Sequence, residues 1–145
     1  MNTQTLPIEW AETHEQSVEI LVVDDNVELG ELAALMVGAT EHARTTIISS
    51  PHEALAMFAA NPMRWSAVLT DFHMPGMNGR ELAAYLREVR PAVPIVFMSG
   101  AAQVNEACEG FAEPMDFVRK PFFAQTLRDA FNHVLGTEAA RSLAA

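Results

Sequence analysis

The chain has a single cysteine, no long apolar run and no signal-like N-terminus. A disulfide needs two cysteines, so Cys108 excludes an internal disulfide and fits a reducing compartment. No apolar stretch approaches the roughly 20 residues of a transmembrane helix, and the first residues lack both the basic and the long apolar part of a secretory signal. These absences predict a cytoplasmic protein without a membrane partner.

Positive charge is also scarce, since 19 acidic residues face nine Lys and Arg and the net charge is −10. A chain this acidic repels a polyanion, so we expect no nucleic-acid partner. Lys120 is the only lysine among these cations. This hints that a compact ammonium is required at that position, although chance alone also leaves one lysine.

Regular periodicity is confined to the central part of the chain. Residues 1–18 have no sustained period and are expected to be a mobile leader. The leader contains a small apolar spot, which can dock on the domain or on a partner and consists of Leu6, Ile8 and Trp10. Residues 19–136 form one predicted domain, and residues 137–145 form a tail after Gly136, the expected end of the last helix.

Five apolar runs alternate with helical patterns across the predicted domain. The runs predict strands at Ile20–Val23, Thr45–Ile48, Ala67–Leu69, Pro94–Met98 and Met115–Val118. Helical patterns follow from about Leu29, from Ser50-Pro51 with its capping-box Glu53, over Arg80–Val89, over Ala101 to about Glu109, and from Phe123. Such alternation predicts a doubly wound α/β fold, a five-stranded parallel sheet with five helices on its two faces.

Polar side chains stand at the carboxyl ends of four predicted strands. In chain order they are Asp24 and Asp25, Asp71, Ser99, and Lys120. The strand ends of a parallel sheet share one edge, so these groups should converge. Three close carboxylates repel one another unless a cation compensates, and oxygen ligands suit Mg²⁺. With a hydroxyl and an ammonium beside them, they form an electrostatic clamp for phosphoryl transfer to a carboxylate nucleophile.

Each of these signals is weak by itself, because an Asp-Asp pair usually caps a helix and a Ser-Gly pair usually makes a turn. With all of them present in this order, the chain resembles the response-regulator receiver domains of two-component signalling over about residues 19–136. The motifs that carry the resemblance are Ile20–Asn26, Leu69–Gly79, Ile95–Gly100 and Phe117–Phe122. The resemblance implies a flavodoxin-like sandwich with strand order 2-1-3-4-5.

The resemblance also implies a role for each polar residue. Asp71 would be the phosphoacceptor, Lys120 would bind the phosphoryl group, and the bond between Lys120 and Pro121 would be cis. The implied ligands of Mg²⁺ are Asp24, Asp25, Asp71 and the backbone carbonyl of His73. After phosphorylation Ser99 would move toward the phosphoryl group and Phe117 would turn inward. Phe117 departs from the tyrosine of the best-studied members, so its two positions would differ by packing alone.

The implied partners are a sensor histidine kinase or a histidine phosphotransfer protein as donor, and a downstream protein as target. The target would bind the face formed by the predicted fourth helix, fifth strand and fifth helix, and the same face makes a homodimer possible. Because no output domain follows in the sequence, we expect a stand-alone signalling module and not a dedicated enzyme.

Several alternatives stay open. The chain can instead be the receiver segment of a hybrid sensor kinase, with residues 1–18 as linker, or a phosphate sink. A small Asp-nucleophile phosphatase of the haloacid dehalogenase type uses similar groups. It places its nucleophile on strand one and its acidic pair last, whereas in this chain the acidic pair comes first. A carrier of FMN shares the fold, but Asp24 and Asp25 would repel the phosphate of that cofactor.

Overall fold

The computed structural model describes residues 18–37, 43–100 and 109–144, with side chains as far as residue 136. Its strands are β1 Val18–Val23, β2 Ala43–Ile48, β3 Ala67–Asp71, β4 Ile95–Ser99 and β5 Met115–Arg119. Its α-helices are α1 Val27–Val37, α2 Pro51–Ala60, α3 Gly79–Val89 and α4 Ala124–Ala144, with a 3₁₀ turn at Pro62–Arg64. All strand pairs are parallel, in the order β2-β1-β3-β4-β5, which confirms the predicted doubly wound sheet.

Several boundaries differ from the predictions. The sheet begins at Val18, so β1 starts two residues before the apolar run that predicted it. The prediction that the last helix stops at Gly136 is wrong, since α4 continues to Ala144. Among the described glycines only Gly76 and Gly110 have a positive φ, so Gly136 does not form the left-handed cap that ends a helix. The predicted helix from Ala101 and the predicted leader lie outside the described residues, apart from their last positions.

Helices cover the sheet on both faces, because alternate strand residues point to opposite sides. In β3, for example, Leu69 packs in the core with α1 and α4, whereas Val68 packs in the core with α2 and α3. All five residues of β3 are buried, as expected for the central strand of a covered parallel sheet. The strand that carries Asp71 is therefore held rigidly from both sides. No helix in the described ranges has the length and apolarity to cross a bilayer.

Helix α1 turns a stripe of small residues toward the sheet and leaves its leucines outside. The buried positions are Gly30, Ala33, Ala34 and Val37. The close approach leaves little room, because a Cβ on Gly30 would lie 3.1 Å from a methyl carbon of Ile47. Leu29 and Leu32 repeat at helical spacing in the sequence, yet they are 39% and 46% exposed. An apolar surface therefore remains along the outer side of α1.

Helix α3 begins with a capping box and ends in an arginine clamp. The side chain of Asn78 accepts from the Glu81 N–H at 2.8 Å, and that of Glu81 accepts from the Asn78 N–H at 3.0 Å. Near the other end, Arg87 donates to three backbone carbonyls of the segment before β4 and of the segment before β5. These acceptors are Val93 at 2.9 Å, Ala112 at 3.0 Å and Pro114 at 2.9 Å. The Arg87 guanidinium thereby ties α3 to the edge of the sheet.

We expect Arg87→Lys to lower the free energy of unfolding by about 1–3 kcal/mol. A lysine ammonium cannot reproduce the planar fork that reaches three carbonyls, and carbonyls left without donors are costly. It also loses the stacking of the guanidinium on Phe111, which lies 4.8 Å away. Urea unfolding measures the change, with Arg44→Lys at an exposed position of β2 as the matched control. Equal effects of the two substitutions would contradict the clamp.

Candidate functional site

The sheet register brings the ends of β1 and β3 together. Asp71 is the last residue of β3 and lies opposite Met98 of β4, whose carbonyl accepts from the Phe72 N–H at 2.9 Å. On the other side of β3, Val23 pairs with Thr70, so Asp24 follows immediately beside Asp71. Backbone hydrogen bonds therefore set the spacing of the two carboxylates. Their convergence follows directly from parallel pairing.

Three carboxylates form a cluster at this edge. One oxygen from each of Asp24, Asp25 and Asp71 lies within 4.8 Å of the other two. Asp24 is fully buried and Asp71 is 8% exposed, whereas Asp25 is open to solvent. The Asn26 N–H donates to Oδ1 of Asp24 at 2.9 Å, while Oδ2 of Asp24 has no hydrogen-bond partner among the described residues. A buried carboxylate oxygen that accepts no hydrogen bond is suited to be a ligand of a cation.

Burial shifts the titration of Asp24. Desolvation raises the pKa of its carboxyl above the ordinary value, and the neighbouring charges of Asp71 and Asp25 act in the same direction. The Asn26 N–H and the Lys120 ammonium oppose the rise without cancelling it. Ionisation of Asp24 is therefore less favourable in the folded protein than for a carboxyl in water, and a further positive charge nearby would favour it.

Lys120 supplies the only lysine ammonium of the chain to the same cluster. Its Nζ lies 3.2 Å from Oδ1 of Asp71 and 3.6 Å from Oδ2 of Asp24. The Lys120 N–H donates to the Ser99 carbonyl at 2.9 Å, which anchors the residue at the end of β4. The Lys120–Pro121 peptide bond is cis. The lysine is thus positioned from its backbone and reaches across the strand ends to both carboxylates.

The other residues singled out in the sequence lie around this cluster. Ser99 is fully buried at the end of β4. Phe117 is half-buried on β5, opposite Phe97 in the register, and packs against the core on the α2 and α3 side. The His73 side chain is exposed and meets the Phe72 ring edge-on, with 5.2 Å between centroids.

Three further residues shape the site without having been assigned a role from the sequence. The buried Thr70 hydroxyl donates to the Asp71 carbonyl at 2.9 Å, and the Asn26 side chain caps α1 by accepting from the Leu29 N–H at 3.2 Å. Gly79 donates its N–H to the Phe72 carbonyl at 2.8 Å. All three stand inside the motifs Ile20–Asn26 and Leu69–Gly79 quoted above, so a signal existed for each of them.

In the absence of divalent cations, Asp24→Asn is expected to stabilise the protein at neutral pH by roughly 1 kcal/mol, because it removes a buried charge. The pKa of Asp24 is raised in the folded protein above its value in the unfolded chain. This carboxylate therefore does not destabilise the folded protein at a pH below its unfolded-state pKa, and the destabilisation develops as the pH rises through its folded-state pKa. The advantage of the variant should therefore shrink as the pH falls toward about 4. Thermal melting in a chelator measures it, with Asp129→Asn, an exposed carboxylate outside the cluster, as the control. A variant less stable than wild type at pH 7 would contradict this account.

The fold and the site together define a parallel α/β domain with an acidic pocket and one lysine at the carboxyl edge of its sheet. Over residues 20–132 the sequence matches the response regulator receiver domain, and the chain belongs to this family. The family is a signalling module of two-component systems, whose members interact with histidine kinases, and not a dedicated enzyme. This membership argues against the phosphatase and the FMN carrier.

Similar proteins agree with this placement. The response regulator protein FleR of Pseudomonas aeruginosa is 31% identical over 124 residues, which cover 83% of this chain and 25% of FleR. The DNA-binding response regulator MtrA of Mycolicibacterium smegmatis is 34% identical over 104 residues, 71% of this chain and 44% of MtrA. A receiver domain protein from Clostridium thermocellum has the same fold, with a TM-score of 0.77, 23% identity, and coverage of 86% of this chain and 98% of that one.

The chain thus spans less than half the length of these two curated relatives. MtrA is described as DNA-binding, so relatives include proteins that contact nucleic acid. The expectation that this chain has no nucleic-acid partner stays a prediction.

Proposed function

We propose that Asp71 accepts a phosphoryl group from a phosphohistidine of a sensor histidine kinase or a histidine phosphotransfer protein. The observation that carries the proposal is the position of the Asp71 carboxylate, which ends a rigid central strand 3.2 Å from the only lysine ammonium. An oxygen of Asp71 attacks the phosphorus, and the bond between phosphorus and the donor's imidazole nitrogen breaks. That nitrogen keeps the electron pair, and an acyl phosphate forms on Asp71.

Asp24, Asp25 and Asp71, with the backbone carbonyl of His73, are the proposed ligands of Mg²⁺. The Asp24 oxygen that accepts no hydrogen bond and the clustering of three carboxylates support this assignment. When bound, the ion would neutralise the negative charge that the reacting phosphoryl group brings to an acidic pocket. Without such a charge, the incoming phosphoryl oxygens would be repelled.

Lys120 and Ser99 are proposed to bind the transferred group. The Lys120 ammonium neutralises Asp71 in the resting protein and is free to pair with a phosphoryl oxygen once Asp71 is phosphorylated. Ser99 is buried at the end of the neighbouring strand and can supply a hydroxyl donor to the same group. Both residues thereby stabilise the charge that develops during transfer.

The phosphoryl group is proposed to change the surface around β5. Recruitment of the Ser99 hydroxyl leaves space for Phe117, which is half-buried and moves between two packed positions. The altered face consists of the predicted fourth helix, β5 and α4, and it is the proposed binding surface for a downstream protein or a second copy. A segment of a hybrid kinase or a phosphate sink would use the same chemistry.

Residues 19–136 are proposed to be the unit that carries this function, with residues 1–18 and 137–145 as extensions, in the cytoplasm. The test is the intact mass of the protein after incubation with acetyl phosphate, with Mg²⁺ or with a chelator. We expect one phosphoryl group per chain with Mg²⁺ and none with the chelator. If phosphorylated histidine kinases and acetyl phosphate both fail to label the protein, the proposal is wrong.

A further inference from the structure

Strand β5 is the last strand of the sheet, so its backbone pairs with β4 on one side only. At its two ends, the Pro114 carbonyl accepts a hydrogen bond from β4 and the Lys120 N–H donates one to β4. Since alternate residues of a paired strand bond to the same neighbour, the even-numbered positions of β5 face β4. The N–H groups of Met115 and Phe117 therefore point toward the open edge of the sheet.

Two carboxylates accept hydrogen bonds from these outward N–H groups. Oδ1 of Asp116 accepts from the Phe117 N–H at 2.8 Å. Oε1 of Glu113, in the segment before β5, accepts from the Met115 N–H at a longer distance of 3.5 Å. Charged side chains at an open edge also hinder pairing with another strand. The backbone of β5 at Phe117 is therefore held by a side chain where a neighbouring strand is missing.

The imidazole of His133 on α4 lies between the same two carboxylates. Its Nδ1 is 3.0 Å from Oδ2 of Asp116, and its Nε2 is 3.4 Å from Oε1 of Glu113. A neutral imidazole has a single N–H and can donate to only one of them, whereas an imidazolium donates to both. The protonated ring therefore connects α4 to β5 and to the segment before it through two charge-assisted contacts. This arrangement of His133, Asp116 and Glu113 is called the His133 bridge below.

The charged groups around the ring favour its protonated form. Asp129 stands one turn before His133 on α4 and adds a third negative charge to those of the bridge. Arg119 follows on β5, but its odd-numbered position places its side chain on the opposite face of the strand from Asp116. Arg87 reaches the segment before β5 from α3, which packs on the other face of the sheet. A positive charge on His133 thus faces carboxylates from β5, from the segment before β5 and from its own helix.

We propose that protonated His133 is a positioning residue that holds the backbone of β5 at Phe117 through Asp116. The two oxygens of Asp116 connect the groups directly, since one accepts from the Phe117 N–H and the other faces the imidazole. When the ring loses a proton, it keeps one donor for two carboxylates, and one of the two contacts of the His133 bridge is lost. Because histidine is the side chain whose charge ordinarily changes near neutral pH, the hold on β5 depends on pH.

The consequence of the His133 bridge for signalling rests on the proposed function. Phe117 is the residue proposed to move after phosphorylation, and β5 and α4 belong to the proposed binding surface. A bridge between these two elements would resist their rearrangement, and it would do so more strongly when His133 is charged. The bridge itself is present in the unphosphorylated protein and does not depend on the chemistry of Asp71.

The test is ¹H–¹⁵N NMR of the unphosphorylated full chain between about pH 5.5 and 8, where surface carboxylates ordinarily stay ionised. The ring signals of His133 report its protonation. In the wild-type protein we expect the amide signal of Phe117 to shift along the same titration curve. Hydrogen exchange of that amide, corrected for the intrinsic effect of pH, should be roughly threefold slower with His133 charged than with it neutral, the effect of one partly exposed ion pair.

Three variants separate the charge of the ring from its packing. His133→Gln should abolish the pH dependence of the Phe117 signal, whereas His133→Arg, which keeps a positive charge, should hold that signal at its acidic-end position at every pH. Asp116→Asn keeps an oxygen for the Phe117 N–H but removes the charge, so the Phe117 signal should no longer follow His133. The matched control is His52→Gln, an exposed histidine of α2, which should leave the wild-type curve unchanged. Thermal melting checks that each variant is folded.

A Phe117 signal that does not follow the protonation of His133, or that follows the same curve in His133→Gln, would overturn the proposal. So would a His133→Arg protein that behaves like His133→Gln, because a positive charge would then not be what holds the strand. None of these measurements requires phosphorylation. A failure of Asp71 to accept a phosphoryl group would therefore leave them unchanged, and a failure of the His133 bridge would leave the labelling of Asp71 unchanged.

Discussion

Asp71→Asn is expected to abolish phosphorylation of the protein by acetyl phosphate or by a phosphohistidine donor. The amide keeps the size of the side chain but lacks the anionic oxygen that attacks phosphorus. It also removes one carboxylate from the cluster with Asp24 and Asp25, so Mg²⁺ should bind more weakly. Intact mass after incubation with donor and Mg²⁺ measures the loss.

The matched control is Asp129→Asn, an exposed carboxylate of α4 that hydrogen-bonds Gln125 at 2.8 Å. This variant should be labelled as fast as wild type. If Asp71→Asn were still labelled at the wild-type rate, the acceptor would lie elsewhere, and the role given to the strand-end carboxylate would be wrong. Thermal melting of both variants checks that the fold is intact.

Gly79→Ala is expected to cost about 3 kcal/mol of stability, roughly 10 °C in melting temperature, and to slow phosphorylation by about 100-fold. A Cβ at this position would lie 3.0 Å from Cα of Phe72 and still closer to the Asp71 carbonyl oxygen. Both obstacles are backbone atoms of the strand end, so they cannot rotate away as a side chain would. The strand end and the loop to α3 must therefore separate, and that displaces the acceptor.

Gly136→Ala is the control for this substitution. Gly136 lies inside α4, and a Cβ there would meet nothing within 4 Å. Alanine should stabilise this helix by roughly 0.5–1 kcal/mol, because it lowers the entropy cost of ordering the backbone. Calorimetry on both variants, with labelling rates at a temperature where each is folded, separates lost stability from a displaced acceptor. A Gly79→Ala protein as stable and as reactive as wild type would contradict the close packing.

The alternation of apolar runs and helical patterns was enough to predict the parallel sheet, whereas its strand order was predicted through the family resemblance. All strand pairs proved to be parallel, as the alternation requires, because parallel strands need a crossover between them. The same rule predicted that Asp24, Asp71 and Lys120 would meet at one edge. Local signals such as the Ser50 cap of α2 also act at the predicted place, since a cap depends only on neighbouring residues.

Tertiary packing decided the features that periodicity leaves open. Helical spacing put Leu29 and Leu32 on one side of α1, but only the packed sheet shows that the small residues face inward and the leucines face out. The end of α4 could not be predicted from Gly136, since glycine ends a helix only when its backbone turns left-handed. The sequence alone thus determined the fold and which residues gather at the site. Their burial and their distances depend on contacts between segments far apart in the chain.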